Sequence, residues 1–588
     1  MLSWLFPRKR ADRHFAEGTR LAQTGQLPAA REELRRAVKL NPGHAEAQFN
    51  LGSACRDLGD LEGALAAYRR AAELRVQSAD PLLAAGAVLN ELRRPHEAIE
   101  PLTRALALNR NLAEAHYELG NAHTALGNWR EALEHLRSAL ALFPQRAEAR
   151  WAAAMAQIPA IPASAVEAAQ RRDAFAAELA ALEKWAAGAP EGAHRAVAVH
   201  QPFYLAYQEA PNRHLLERYG RVCAQLMEAW QQRAGLTVPG DRTIKPPRRV
   251  GIVSAHIRDH SVWNALARGW VEELDPERCE LHLFHVGAAQ DAETRRAASH
   301  AAHFHHGRRS FEQWARAIHD AELDVLVYPE IGMDPTTGKL AALRLAPVQA
   351  TSWGHPETSG LPTMDYFLSA AALEPAQAQA NYSEKLVLLP NLGCYLRKPP
   401  APIPAQLPEG ISGPVLVCAG TPFKYAPEHD RVLVEIARRL PNARFLFFTG
   451  DPPALSQKLK QRLQHAGLDF ERQAMLLPWL PAEKFRALLA GATVYLDTIG
   501  FSGFNTALQA VESGLPVVTR EGRFLRGRLA SGILRHIGAA ELVAADEEAY
   551  IELAVGLATN PRRLEADRER LYEDAAPVAA LQEFLERA

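Results

Sequence analysis

The sequence predicts an α + α/β protein: a superhelix of helical repeats followed by a pair of doubly wound α/β domains. Three observations predict it. A 34-residue period holds through four copies near the start, the patterning switches from helical to strand-like near residue 249, and a second set of short apolar runs follows a proline-rich joint near residue 400. Cutting the chain at residues 11, 45, 79 and 113 puts glycine at the eighth place of every copy (Gly18, Gly52, Gly86, Gly120). Alanine falls at the twentieth (Ala30, Ala64, Ala98, Ala132) and at the twenty-seventh (Ala37, Ala71, Ala105, Ala139). This is the tetratricopeptide pattern, in which small residues let the two helices of each unit approach where they cross. One hairpin cannot bury its apolar face alone, so units stack into a superhelix whose concave groove suits an extended peptide. Pro42 and Pro144 stop the first and fourth units, while Val76 and Arg110 hold that place in the middle two, where smoother junctions are expected.

After Pro144 the pattern stays helical until Ile158-Pro-Ala-Ile-Pro-Ala-Ser164 interrupts it, with Ser164 placed to cap the next helix. Residues 165 to 233 read as helices and hold an aromatic cluster, Gln201-Pro-Phe-Tyr-Leu-Ala-Tyr207, expected to pack between the repeats and the α/β core. Gly235 to Arg249 reads as a linker. Short apolar runs bounded by turn signals then suit buried parallel strands: Arg249–Ser254, Glu280–His285 and Leu323–Tyr328, and later Val415–Cys418, Arg444–Phe448, Thr493–Asp497 and Pro516–Thr519. Helical segments lie between most of them, which indicates doubly wound sheets. The joint between the two clusters is Lys398-Pro-Pro-Ala-Pro-Ile-Pro404. The expected organisation is a tail (1–10), repeats (11–150, as units 11–44, 45–78, 79–112 and 113–146), and a connector with linker (151–247). A first Rossmann-like lobe (248–404) and a second lobe with terminal helices (405–588) complete it. Two facing lobes place a ligand cleft at the carboxyl ends of their strands. A GT-B glycosyltransferase has this shape, as do other two-lobed α/β proteins.

Bulk properties narrow the function. A formal net charge of −1 gives no support for a nucleic-acid partner. Cys55, Cys223, Cys279, Cys394 and Cys418 are scattered and odd in number, which suits a reducing cytosol and a cytoplasmic location. The start, MLSWLFPRKR, has an apolar patch before basic residues, the reverse of a secretory signal, and is expected to lead into the first repeat. No apolar run reaches the roughly 18 residues of a membrane span, so membrane insertion is not expected.

The turn after the first strand, Ser254-Ala-His-Ile-Arg-Asp-His-Ser-Val262, places His256 and His260 at the mouth of the predicted cleft, where imidazole suits base or hydrogen-bond work. His300, His303, His305 and His306 are dense, but no cysteine or carboxylate completes a zinc set of familiar spacing, and no Asp-x-Asp motif is present. No metal and no cofactor is expected.

From the repeats through Ser254–Val262 to about residue 575, the chain resembles the O-GlcNAc transferases of glycosyltransferase family 41. Leu343-Arg-Leu-Ala-Pro-Val-Gln-Ala350, Trp353-Gly-His-Pro-Glu-Thr-Ser-Gly360, Met364-Asp-Tyr366, Tyr382-Ser-Glu-Lys-Leu386 and Leu388-Leu-Pro390 carry the resemblance in the family's order. It implies a GT-B fold. It also implies that His260 matches the family's active-site histidine, proposed there as a base, with His256 beside it, and that Lys424 in Gly420-Thr-Pro-Phe-Lys424 meets the nucleotide diphosphate. Thr421, Gly503, Asn505 and Thr506 would line the phosphate loop, where a helix N-terminus favours an anion. Gly354, His355 and Pro356 would line the sugar or acceptor cleft. The chain departs from the O-GlcNAc transferases at Phe504-Asn-Thr506, where they carry His-Thr-Thr. Gln509 stands in place of their ribose aspartate, with Glu512 one turn on as a substitute, and Ala482 and Phe485 replace the lysine and histidine near uracil. Pro329-Glu-Ile-Gly-Met333, Gly354-His-Pro356 and the Asn-Thr pair instead resemble the cytoplasmic bacterial N-glycosyltransferases.

The resemblance implies an inverting, metal-independent glycosyltransferase that moves a sugar, GlcNAc in the first instance, from a UDP-sugar to serine or threonine of proteins held by the repeat groove. One alternative is N-glucosyl transfer to asparagine. An alternative of another class is a repeat scaffold whose transferase fold has drifted. Short repeat arrays also serve as dimer interfaces, so a homodimer is a further expectation.

Overall fold

The computed structural model describes residues 5–588 other than 239, 241–245, 400 and 402. Parts of the predicted tail, linker and proline joint therefore lie outside the described residues. The chain divides into two compact units, Met1–Pro159 and Ala160–Ala588.

The first unit is four helix pairs and a ninth helix. Leu5–Gln23 pairs with Leu27–Leu40, Ala45–Asp57 with Leu61–Leu74, Ala79–Glu91 with Pro95–Leu108, and Ala113–Ala125 with Trp129–Leu142; Ala147–Met155 follows. The eighth-place glycines sit where each pair crosses. A Cβ built on Gly18, Gly52, Gly86 or Gly120 would come within 2.4–2.7 Å of Leu34, Tyr68, Leu102 or Leu136. The alanines at the twentieth and twenty-seventh places are fully buried against these crossings. Two expectations change. Residues 5–10 are no tail, because the first helix already runs from Leu5. The middle junctions are no smoother than the others. In every unit the capping N–H, from Asn41, Arg75, Asn109 or Phe143, reaches back to the twenty-seventh-place alanine, so the backbone makes the stop with or without proline.

The second unit opens with the connector. Ser164 caps the helix Ala165–Ala186 by accepting from the Glu167 N–H at 3.1 Å. A second long helix, Arg213–Arg233, crosses the first lobe so closely that a Cβ on Gly220 would stand 2.0 Å from the Gly360 carbonyl oxygen.

Both lobes carry all-parallel sheets. The first holds β1 (Arg248–Ser254), β2 (Cys279–His285), β3 (His303–His305), β4 (Val325–Tyr328), β5 (Val348–Ser352), β6 (Tyr366–Ala370) and β7 (Lys385–Leu389), in the order β3-β2-β1-β4-β5-β6-β7. The second holds β8 (Val415–Cys418), β9 (Arg444–Phe448), β10 (Ala474–Leu477), β11 (Val494–Leu496), β12 (Val517–Arg520) and β13 (Val543–Ala544), in the order β10-β9-β8-β11-β12-β13. The second order is the Rossmann order, and the first is the same order with one more strand, β7, at its edge. Each sheet thus has a switch point, between β1 and β4 and between β8 and β11, where the following loops part and leave a crevice. One apolar core runs through both lobes.

The terminal helix, Ala576–Arg587, was expected with the second lobe but packs on the first. Phe584 stacks edge-on to Tyr366 at 5.1 Å, Gln582 accepts from the Asp275 N–H at 3.1 Å, and Arg248 donates to the Leu585 carbonyl at 3.2 Å. No helix among the described residues is long and apolar enough to cross a membrane.

Gly220→Ala should destabilise the larger unit by at least about 2 kcal/mol, because backbone cannot yield to the new methyl, against the ~1 kcal/mol that alanine gains over glycine within a helix. The urea midpoint of that unit's transition measures it; an unshifted midpoint would show the helix free to move off Gly360.

Candidate active site

The loops that leave β1, β4 and β5 form the first half of the site. Ser254 ends β1 and donates its hydroxyl to Glu330 at 2.7 Å, while the same Oγ accepts the His256 N–H at 2.9 Å. Glu330, just past β4, is fully buried, and burial pushes its carboxyl up to about 8. His256 and His260 stack with centroids 4.0 Å apart and planes 13° apart. Burial, followed by the neighbouring cations, holds their pKa values down, to about 3 for His256 and about 4 for His260. Both rings are neutral at pH 7. Nδ1 of His260 accepts the Val262 N–H at 3.2 Å, so in the neutral ring the proton sits on Nε2. That nitrogen is then a donor, and the base role implied by resemblance is not what this tautomer offers.

Gly354 lies against this loop. A Cβ there would meet Val262 at 3.0 Å and Glu330 at 3.1 Å, so only glycine lets the strands' loops close up. Its neighbour Trp353 reaches across to Phe504 of the second lobe, edge to face at 4.9 Å. His355 and Pro356 are buried, and His355 stacks on Phe203 at 5.5 Å.

The loops after β8 and β11 form the other half. Asp497 organises it, and sequence reasoning had assigned it no role. Its carboxylate accepts from Ser502 Oγ at 2.6 Å, from the Gly503 N–H at 2.8 Å and from Thr519 Oγ1 at 2.7 Å. This pins the turn that opens the helix Asn505–Glu512, whose N-cap residue, Phe504, has no capping side chain. Lys424 meets that turn. Its Nζ lies 4.7 Å over the Phe501 ring and 3.4 Å from the Ser502 carbonyl oxygen, and burial lowers its pKa to about 8. Thr421 contributes a buried hydroxyl with no partner within the protein. A cation, an uncapped helix start and an unmatched hydroxyl thus meet at one switch point, a combination suited to an anion. Thr506 faces the other way, its Oγ1 accepting from Tyr495 OH at 2.7 Å. Asn505 and Gln509 are half-buried on the same helix.

Glu512 ends the helix, one turn beyond Gln509 and about 4.5 Å further along the axis, on the same side of the helix. Burial raises its carboxyl to about 7, with Arg486 and a hydrogen bond from Tyr572 acting the other way.

The connector supplies a third wall. Tyr207 stacks on Phe501 at 4.3 Å and meets Phe423 at 4.6 Å, while Phe203 lies on His355 and Phe423. The cluster expected as inter-domain packing is thus a shelf under the loops that carry Lys424 and His355. The density of aromatics signalled burial; nothing local signalled against what.

A model of the family described as glycosyl transferase family 41 matches residues 195–394 and 410–582, and tetratricopeptide repeat models match residues 15–80 and 113–146. The chain belongs to glycosyl transferase family 41. It is 30% identical over 264 residues to the tomato (Solanum lycopersicum) protein named probable UDP-N-acetylglucosamine–peptide N-acetylglucosaminyltransferase SPINDLY, covering 44% of this chain and 28% of that protein. It is 25% identical over 350 residues to the Arabidopsis thaliana protein of the same description named SEC, covering 57% and 35%. With the UDP-glucose:protein N-beta-glucosyltransferase of Actinobacillus pleuropneumoniae it shares 26% identity over 266 residues, covering 44% and 42%. The matched segment spans less than half the length of each of these relatives. In fold, the chain is similar to a solved mutant of the Thermobaculum terrenum O-GlcNAc transferase, with a TM-score of 0.59 at 23% identity over 99% of this chain and 97% of that one.

Asp497→Ala should orphan two hydroxyls and one N–H, each costing about 1–3 kcal/mol where buried. A stability loss of at least about 3 kcal/mol in urea is expected; a loss below about 1 kcal/mol would mean that water takes over the carboxylate's bonds.

Proposed function

We propose that this family 41 chain is an inverting protein glycosyltransferase that uses a UDP-sugar and no metal. The observation that carries the reading is the Lys424 ammonium set over Phe501 beside the uncapped start of the helix Asn505–Glu512. In the proposed step an acceptor hydroxyl attacks the anomeric carbon, the bond to the diphosphate oxygen breaks, and its electron pair leaves with UDP. Lys424 and the helix start receive the developing charge. The hydroxyl proton passes to the diphosphate or to water. Neutral His260 donates Nε2–H to an oxygen in the cleft and keeps the acceptor in line. Gln509 takes the ribose contact, and the groove of the repeats holds the acceptor polypeptide.

GlcNAc as the sugar and serine or threonine as the acceptor are the finer reading, supported by the names of the plant relatives. Glucose on asparagine is the second, supported by the Actinobacillus relative and by the shared Gly354-His-Pro356 and Asn505-Thr506. Incubation with UDP-GlcNAc or UDP-glucose and peptides carrying either acceptor, read by mass spectrometry, separates them. No transfer from any UDP-sugar would overturn the proposal in favour of a scaffold.

Lys424→Ala should lower turnover at least about tenfold, ~1.4 kcal/mol of transition-state stabilisation, while leaving the melting temperature unchanged within a few degrees. Unaltered turnover in a folded variant would remove Lys424 from the site.

UDP binding should also depend on pH through this residue. The Lys424 ammonium is present below about 8 and lost above it, so affinity should fall as pH rises from about 7 to about 9, by up to about tenfold per unit. The terminal phosphate of UDP is already about nine-tenths ionised at pH 7, its pKa being about 6, and the uracil N3–H, which begins to ionise toward the top of the range, acts equally on the arginine variant. Lys424→Arg, charged throughout, should flatten the profile. Calorimetric titration measures both, and a flat wild-type profile would contradict the assignment.

A further inference from the structure

Glu280 and His282 lie two residues apart on β2 and so share one face of the sheet. β3 runs parallel beside it, with His303 directly opposite His282 in the ladder. The three side chains converge. Nε2 of His282 is 2.8 Å from Oε1 of Glu280, Nε2 of His303 is 3.5 Å from the same oxygen, and one ligand atom from each residue lies within 4.8 Å of the others. Ligand atoms around a tetrahedral zinc, each about 2.0–2.1 Å from the ion, stand about 3.4 Å apart.

We propose that Glu280, His282 and His303 form a binding site for one transition-metal ion, zinc foremost, remote from the transfer cleft. Two imidazole nitrogens and one carboxylate oxygen select against calcium and magnesium, which take all-oxygen sets. His303 is 54% exposed at its side chain, which leaves an open side for water as fourth ligand. His282 is buried, which keeps its ring neutral. In the metal-free chain its Nε2–H donates to Glu280, so an ion held at Nε2 requires the tautomer with the proton on Nδ1. That Nδ1 has no partner within the protein. The Glu280 carboxyl is held below its ordinary value, first by its hydrogen bond with His282, and is ionised. Arg249 opposes the cation, its Nε standing 3.5 Å from the Glu280 oxygen, so binding is moderate in strength. His305, stacked 4.5 Å from Phe284, lies on the same face as a neighbour rather than a ligand.

The ion would pin a three-residue edge strand, β3, to β2. It takes no part in transfer. His285, at the carboxyl end of β2 near the His256 loop, is three residues beyond His282, about 10 Å along the strand.

The test is calorimetric titration of the tag-free, chelator-stripped full chain with zinc chloride, alongside thermal melting with and without the ion. One saturable equivalent and a raised melting temperature are expected. His303→Ala and Glu280→Gln alter partly exposed side chains that the fold can spare. Each should weaken binding at least about tenfold, leave circular dichroism and UDP binding unchanged, and abolish the zinc-dependent rise in melting temperature. Failure of the wild-type chain to take up zinc saturably would overturn the proposal. So would uptake that His303→Ala leaves intact, which would assign the ion to other histidines such as His300 or His306.

Discussion

Arg526 ties three separate parts of the larger unit to one point. Its guanidinium is 2% exposed, pairs with Glu357 of the loop after β5 at 2.9 Å, and donates to the carbonyls of Gln208 at 3.0 Å and Ala210 at 2.6 Å in the connector. Arg526 itself follows β12. Asn212 donates to Glu357 at 2.7 Å, and Arg172 donates to Asn212 at 2.6 Å. A buried guanidinium left without acceptors costs several kcal/mol, so both lobes and the connector must arrive together or not at all. Once they do, Glu209 reaches Arg520 at 2.7 Å and the Arg523 N–H at 2.8 Å, and the aromatic residues just upstream fall onto Phe501 and His355. The geometry at the mouth of the cleft follows from this clasp.

The same burial that makes the clasp decides the electrostatics of the site. It neutralises His256 and His260 and pulls Lys424 down toward neutrality, yet leaves the lysine mostly charged at pH 7. Lys424 is held weakly, by one carbonyl oxygen at 3.4 Å and an aromatic face, so its three N–H donors can turn to a stronger acceptor without breaking a buried ion pair. In the proposed reaction an arriving diphosphate stabilises the ammonium in return, and charge forming on the leaving group meets a cation and backbone dipoles set in advance. The neutral imidazoles would contribute direction rather than charge.

How much of this could be read from the sequence depended on whether the signal was local. The repeats were legible because Gly18, Gly52, Gly86 and Gly120 each meet a residue of their own unit. β1, β2, β4, β8, β9, β11 and β12 were legible as apolar runs. β5 was not, because Gln349, Thr351 and Ser352 are buried polar residues; Gln349 donates to the carbonyls of Leu343 and Thr363 and accepts from the Leu345 N–H. His256 and His260 stood out because they lie just past a strand end, where clefts of such sheets open, and Lys424 because of the family resemblance. Asp497 lay inside a block already singled out but looked like strand. The carboxylate beside His303 was missed because Glu280 comes from the neighbouring strand.

The extent of the larger unit follows from these contacts. Sequence patterning put the boundary of the first lobe at residue 248, where strand-like runs begin. The compact unit instead begins at Ala160. Residues 160–233 form the wall behind His355 and Phe501 and supply two acceptors to Arg526 and the close helix crossing at Gly220. Cutting the chain at 248 would expose Phe423 and Phe501 and leave the Arg526 guanidinium short of its carbonyls. The loop that carries Lys424 would lose the surface it rests on. The connector is therefore part of the site, and β1 marks where a sheet begins rather than where a domain does.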